Sequence, residues 1–256
     1  TVTDDSGTGN AVSAPAEITI NIQGTNDEAT AQDDDLGEVS EDGPAVEGTV
    51  DAPDDLDDND VYTYQTVANS LVDENGVEVV GGDITWDGNT YTFDPLDDFQ
   101  YLREGEELPL TFSYEIQELS GNITDPAVVS LEIQGANDQP VAEDNELNTT
   151  ENETIDGTVD YTDADIGDSH TYLIDTNLGL GEGSVSLDSN TGVYVFDPGS
   201  DFDYLLFNQQ ASVSFTYTVT DDSGTGNAVS APAEITINIQ GTNDEATAQD
   251  DDLGEV

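Results

Sequence analysis

Carboxylates recur at corresponding places along this chain, and their number and spacing suit the holding of hard divalent cations. An acidic residue closes a run of alternating residues at Asp4, Glu118 and Asp221. An Asn-Asp pair lies further on, at Asn26-Asp27, Asn137-Asp138 and Asn243-Asp244. After it come a Glu and an Asp-x-Asp: Glu41 with Asp55 and Asp57, then Glu151 with Asp163 and Asp165. These elements are placed to meet at one end of a folded unit. Two carboxylates about 4 Å apart repel by roughly 4 kcal/mol at an effective dielectric near 20. A converged group of them cannot remain ionised unless a cation sits among them. Side-chain cations cannot fill that role, because 59 Asp and Glu stand against one basic residue, Arg103. Oxygen ligands in number, on flexible loops, suit Ca2+ better than Mg2+, which keeps its waters and an octahedral geometry. Calcium sites in extracellular modules typically bind at about 10⁻⁴ to 10⁻³ M.

Other chemistries fit poorly. A formal net charge of −58 excludes nucleic acid, whose phosphates need cations on the protein side, and makes an anionic membrane surface implausible. No apolar run of membrane-spanning length is present, so no insertion into a membrane is expected. Without Cys there is no disulfide framework and no thiolate site, and without Lys there is no isopeptide staple between strands. His170 is the only histidine and has no nucleophile beside it in sequence, so it is expected as a surface or strand residue. Asp97-Asp98 could imitate a glycosidase dyad, but it adjoins Pro and Phe in a motif found twice and reads as a turn. Trp86, Tyr91 and Tyr101 could stack on a sugar, yet aromatics at alternating positions belong in a core. No catalytic residue is assigned, and the chain is not expected to be an enzyme. Scattered acids such as Asp33 to Asp35, Asp73, Glu106 and Glu107 read as a solvated acidic surface. The linker and Asp-x-Asp positions differ in keeping register between diverged units, which random surface charge has no reason to do.

The units themselves emerge from repetition, which outranks any local motif. Residues 1–39 and 218–256 are identical, an offset of 217 (218 − 1). The linkers at Gly24, Gly135 and Gly241 divide that period into 111 (135 − 24) and 106 (241 − 135) residues. Four segments follow: 1–24, the closing strands of a preceding module; 25–134, module A; 135–240, module B; and 241–256, a linker with the first strand of a following module. Modules A and B share Gly48-Thr-Val-Asp51 with Gly157-Thr-Val-Asp160, Phe93-Asp-Pro95 with Phe196-Asp-Pro198, and Tyr101-Leu102 with Tyr204-Leu205. Period-two alternation marks the strands: Ile18, Ile20 and Ile22; Leu110, Phe112, Tyr114 and Ile116; Val129, Leu131 and Ile133; Val213, Phe215, Tyr217 and Val219. Asn and Gly turns such as Glu74-Asn75-Gly76 and Asp87-Gly88-Asn89 separate them, and no helical pattern of useful length appears. Short strands with turns every 8 to 12 residues or so describe β-sandwiches. Ragged boundaries at Thr1 and Val256 lead us to expect a longer array.

The Asn-Asp linker, the early Glu, the Asp-x-Asp and the strand ending Phe215-Thr-Tyr-Thr-Val-Thr-Asp-Asp-Ser-Gly224 resemble the cadherin-like and VCBS-type repeats of giant bacterial repeats-in-toxin adhesins. That resemblance implies an all-β chain of tandem immunoglobulin- or cadherin-like β-sandwiches in an extended rod, stiffened by Ca2+ at its junctions. It implies a spacer of an exported adhesin at the bacterial cell surface, projecting a distal binding domain for adhesion or biofilm formation. Its partners would be neighbouring copies of the module in the same chain. By the same resemblance, Asn26, Asp27, Glu41, Asp55 and Asp57 would serve a first junction with Asp4. Asn137, Asp138, Glu151, Asp163 and Asp165 would serve a second with Glu118, and Asn243 and Asp244 with Asp221 would open a third. Module A has Glu118-Leu119 where B has Asp221-Asp222, so fewer ions are expected at the second junction. Two alternatives remain open: a glycan- or surface-binding module, and a filament subunit self-associating by strand complementation.

Overall fold

A computed structural model describes residues 1–3, 5, 12, 14–56 and 61–246. Asp4 and Asp57, both expected as ligands, lie outside the described residues, as do 247–256. Among the described residues every regular element is a strand, and no helix is long and apolar enough to cross a membrane. The first eight are β1 (Asp34–Ser40), β2 (Val46–Thr49), β3 (Tyr62–Thr66), β4 (Val72–Asp73), β5 (Asp83–Asp87), β6 (Thr90–Asp94), β7 (Glu107–Glu118) and β8 (Ala127–Gln134). They pair only among themselves, as a sheet β1-β8-β7-β3 with β4 also on β7, and a sheet β2-β6-β5. The next nine are β9 (Val141–Glu143), β10 (Asn145–Thr150), β11 (Ile155–Thr158), β12 (Asp160–Thr162), β13 (Thr171–Thr176), β14 (Ser184–Leu187), β15 (Val193–Asp197), β16 (Gln210–Thr220) and β17 (Ala233–Gln240). These form β10-β17-β16-β13, β11-β15-β14 and the pair β12-β9.

Each set of sheets closes on its own core, built from the period-two residues. Leu110, Phe112, Tyr114 and Ile116 of β7 and Val129, Leu131 and Ile133 of β8 pack on Tyr91 and Phe93 of β6. Val213, Phe215, Tyr217 and Val219 of β16 and Ile235, Ile237 and Ile239 of β17 pack on Tyr194 and Phe196 of β15. β-Branched and aromatic side chains alternate inward because successive residues of a strand point to opposite faces. Trp86 belongs to the first core: its ring centroid lies 5.7 Å from that of Tyr64 and 5.2 Å from those of Tyr91 and Tyr114. In both modules a glycine admits a tyrosine ring. A Cβ on Gly48 would come within 2.2 Å of the Tyr91 ring, and one on Gly157 within 2.4 Å of Tyr194 Oη.

Strand direction governs everything at the ends of these sandwiches. β1 runs parallel to β8, with Ser40 opposite Gln134, and β10 runs parallel to β17, with Thr150 opposite Gln240. β7 and β16 run antiparallel to β8 and β17. The residue after β1 or β10 therefore sits beside the outgoing linker, whereas the residue ending β7 sits at the opposite pole, beside the incoming one.

Residues 16–23, expected as a closing strand of a preceding module, stand without partner strands among the described residues. Ala16–Gln23 has the same sequence as β17 but forms no ladder, and Ile18, Ile20 and Ile22 are 86%, 78% and 91% exposed. The same residues in β17 are held between β10 and β16, with all three isoleucines buried. Among the described residues 16–23 has no such neighbours, and backbone hydrogen bonds that need a partner strand cannot form.

Candidate metal centre

Three consecutive backbone N–H groups of the central linker point at carboxylates from both modules. Ala136 N–H donates to Glu41 Oε1 at 2.7 Å, Asn137 N–H to Glu104 Oε2 at 3.2 Å, and Asp138 N–H to Asp165 Oδ2 at 2.9 Å. The Asn137 amide donates back to the Asp138 carbonyl at 2.9 Å and across to Asp221 Oδ2 at 3.2 Å. Asp221 is set in turn by Ser223, whose N–H donates to Oδ1 at 2.9 Å, and Asn227 Nδ2 donates to the Asn137 carbonyl at 2.6 Å. Glu41, Asn137, Asp165 and Asp221 are all buried.

These donors satisfy only one side of the cluster. Glu41 Oε2, Asn137 Oδ1, Asp138 Oδ2 and Asp165 Oδ1 are buried acceptors with no hydrogen-bond donor. Burying even a neutral acceptor without a partner costs about 1–3 kcal/mol, and an ionised one more. Glu41, Asp138 and Asp165 each offer an oxygen within 4.8 Å of the other two, and Asp163, Asp168 and Asp221 form a second such group. Ligands at about 2.3–2.6 Å from a shared Ca2+ lie at most about 5 Å apart, so each group is close enough to share one ion. Orphaned, converging, all-oxygen acceptors are the environment a hard cation satisfies, and the residues fit Ca2+ on that ground.

Without a cation the charge is costly to keep. Burial, reinforced by the Asp138, Asp165 and Asp42 charges against the Ala136 N–H, raises the Glu41 carboxyl to about 7. Burial raises Asp165 to about 6, with Asp168, Asp138 and Asp163 adding to it. Asp138 and Asp168 are raised too, chiefly by burial; for Asp168 the Arg103 guanidinium opposes the rise.

The allotment of ligands to junctions needs correction. Glu41 belongs with Asn137 and Asp138, not with Asn26 and Asp27, and Asp221 belongs there too, not with Asn243 and Asp244. Glu118 lies at the first linker, accepting from Asn26 Nδ2 at 2.7 Å, Ala29 N–H at 2.7 Å and Ser120 Oγ at 2.9 Å. Those donors hold its carboxyl below the usual range, the Ala29 N–H foremost. Glu151 lies at the third linker, where Thr242 N–H and Oγ1 donate to its Oε1 at 2.7 and 2.9 Å, and its buried Oε2 has no donor. The cause is the strand direction already described: each module contributes its early Glu to the outgoing linker and its Asp-x-Asp and β7 or β16 end to the incoming one. The lower ion count expected at the second junction rested on placing Glu118 there, so that reason lapses.

Other expected ligands fall as follows. Asp55 is at the first linker's pole, accepting from the Tyr62 hydroxyl at 2.8 Å. Asp27, Asn243 and Asp244 are exposed, and the Asn26 and Asn243 amides repeat the turn of Asn137 onto the next carbonyl, at 2.7 and 3.1 Å. Sequence reasoning missed Asp168, Glu104 and His170. Asp168 is legible as the third Asp of a D-x-D-x-x-D run. Glu104 is brought in only by the loop before β7. His170 is neither a surface nor a strand residue: its side chain is 9% exposed, and Nε2 lies 2.6 Å from Asp163 Oδ2. Tyr62 on Asp55 is the counterpart contact in the first module.

A strand-only sandwich with a carboxylate-lined pole defines the class. Residues 137–241 match the family model of the bacterial cadherin-like domain. Among solved structures, the chain is similar to human mucin-like protocadherin EC1-2 at 15% identity, covering 84% of this chain and 98% of that one, with a TM-score of 0.46. It is similar to Drosophila N-cadherin EC1-4 at 17% identity and a TM-score of 0.43, covering 83% of this chain and 50% of that one. Human CDH23 EC21-23 is similar at 15% identity and a TM-score of 0.46, with 81% and 72% covered. No curated protein matches.

Proposed function

We propose that the chain is a calcium-stiffened spacer of an exported bacterial adhesin, made of modules spanning about 25–134 and 135–240. The observation that carries this reading is the set of four buried acceptor oxygens without donors at the linker between them, contributed from both sides. Ca2+ bound there would satisfy those oxygens, cancel the repulsion among Glu41, Asp138 and Asp165, and fix the angle between neighbours. A string of modules then becomes a rod that holds a distal binding domain away from the cell surface. Repetition of 39 residues without change suits a part whose function depends on copy number. Calcium titration with small-angle scattering tests it: saturable binding should lengthen and narrow the distance distribution and raise the melting temperature, and identical profiles in calcium and in chelator would refute the joint.

The glycan-binding alternative loses its strongest residue, since Trp86 is stacked in a core. Strand complementation stays as the second alternative: residues 16–23, with the sequence of β17, would pair with strands of a neighbouring module whether in the same chain or another. Concentration-dependent assembly that is abolished by Ile20→Asp would support that reading.

A further inference from the structure

The two poles of each module differ in kind, and the difference is matched across the junctions. At the outgoing pole of the first module, Arg103 Nε lies 3.7 Å from Asp168 Oδ1 of the second, and the Tyr101 carbonyl accepts from Ile166 N–H at 3.2 Å. Glu104 beside it accepts from Asn137 N–H. This contact is ionic and polar, and the only basic side chain of the chain is spent on it.

The outgoing pole of the second module has the same backbone and the opposite chemistry. Gly105 N–H donates to Gly135 O, and Gly135 N–H to Glu106 O; correspondingly Asn208 N–H donates to Gly241 O, and Gly241 N–H to Gln209 O. Gly105 and Asn208 share a positive φ, 73° and 64°. That register places Leu206 where Arg103 stands and Phe207 where Glu104 stands. Both are open to solvent, 74% and 68% exposed. A charged pair on one pole is thus an apolar pair on the other.

The incoming poles differ in the same sense. In the second module Ser169 N–H and Oγ hold Asp222 at 3.2 and 2.8 Å. Leu119 takes the place of Asp222 in the first module, and its N–H donates to the carbonyl of Val61, the counterpart of Ser169. Leu119, Val61 and nearby Leu56 are 81%, 61% and 84% exposed. Residues 245–256, which follow the second module, repeat 28–39, which open the first. The sequence leading out of Leu206 and Phe207 is therefore the opening of a copy of the first module.

We propose that Leu206 and Phe207 seat against the Leu119, Val61 and Leu56 face of a following copy of the first module, so that the array alternates ionic and apolar joints. Buried apolar area closes this joint without a basic residue. Each pole disfavours the wrong neighbour: Arg103 set against Leu119 would lose Asp168 and keep only Glu106 of its own pole, and Phe207 set against Asp222 would strip that carboxylate of water. Module order along the array is then enforced by the joints as well as by the chain. The inference rests on the end-to-end spacer reading above.

The chain has no cysteine, which permits a direct proximity test. In a two-period chain, residues 1–256 continued by 40–256, Phe207→Cys in the first period is combined with Leu119→Cys in the second. A control pairs the same Leu119→Cys with Leu173→Cys, exposed on β13 of the first period. In calcium, a short bis-maleimide should link the test pair about tenfold faster than the control, since docking raises effective concentration well above that of a flexible tether. Adding Leu206→Asp should reduce the rate towards that of the control. Equal rates for test and control pairs, with calcium still binding at the Asp163 and Asp165 junction, would overturn the apolar joint and leave the spacer reading standing. Failure of calcium to bind at any junction would overturn both.

Discussion

Replacing Glu41 by Gln should stabilise the calcium-free protein while weakening its calcium response, an outcome that separates an ion site from a merely acidic surface. The folded-state carboxyl is raised from 4.5 to about 7, first by burial. A carboxylate with a raised folded value binds more protons in the native state than in the unfolded one between those two pH values. Native stability without calcium therefore falls as pH climbs from about 4.5 to 7, and the loss is fully present above 7. At 1.4 kcal/mol per pH unit the rise corresponds to about 3 kcal/mol, which screening at a partly open pole reduces to about 2 kcal/mol. Gln keeps an acceptor for the Ala136 N–H, which donates to Glu41 Oε1, and in place of the orphaned Oε2 it brings a donor amide facing Asp138 and Asp165. In chelator at pH 8 the melting temperature of Glu41→Gln should exceed that of the native chain by about 10 °C. The gap should close at pH 4 and reverse in saturating calcium, where the variant lacks a ligand. Equal melting temperatures at pH 8 in chelator, or a native chain that gains stability between pH 5 and 8 without calcium, would refute the reasoning.

Calcium affinity at the central junction should fall about a hundredfold between pH 7.5 and 5.5, read by titration calorimetry, because Glu41 at about 7 and Asp165 at about 6 take up protons that compete with the ion. The first junction should resist that change, since Glu118 is held below the usual range by its donors. Asp163→Ala with Asp165→Ala should weaken calcium at the central junction by at least about tenfold; loss at the first junction as well would mean that the poles are misassigned. Gly157→Ala should cost about 1–3 kcal/mol by overpacking, with a lower melting temperature, since its Cβ would lie 2.4 Å from Tyr194 Oη; an unchanged transition would show that the ring can move aside.

What was legible in advance tracks how local its cause is. The inward rows of β7, β8 and β16 follow from alternation within a single strand, and the placement of Trp86 in a core from the same rule. The acidic positions were legible as types and spacings. Their grouping was not, because it depends on whether a strand's end shares a pole with the incoming or the outgoing linker. Glu41 and Glu118 exchanged junctions for that reason alone. His170 was misread because its partner, Asp163, is a ligand candidate whose side chain only the folded loop turns inward.

By itself the sequence determined the 217-residue period, the sandwich-forming alternation and the imbalance of 59 acidic residues against one Arg, which leaves converging carboxylates short of side-chain cations. Only the tertiary structure decided where they converge. Parallel pairing of β1 with β8 carries Glu41 to the far pole, and antiparallel pairing of β7 with β8 carries Glu118 to the near one. Whether Ala16–Gln23 is a strand was likewise decided by the presence of neighbours, since the identical residues of β17 form one between two partners. Strand order and direction arise from long-range hydrogen bonding between segments, and no window of sequence contains both ends of such a bond.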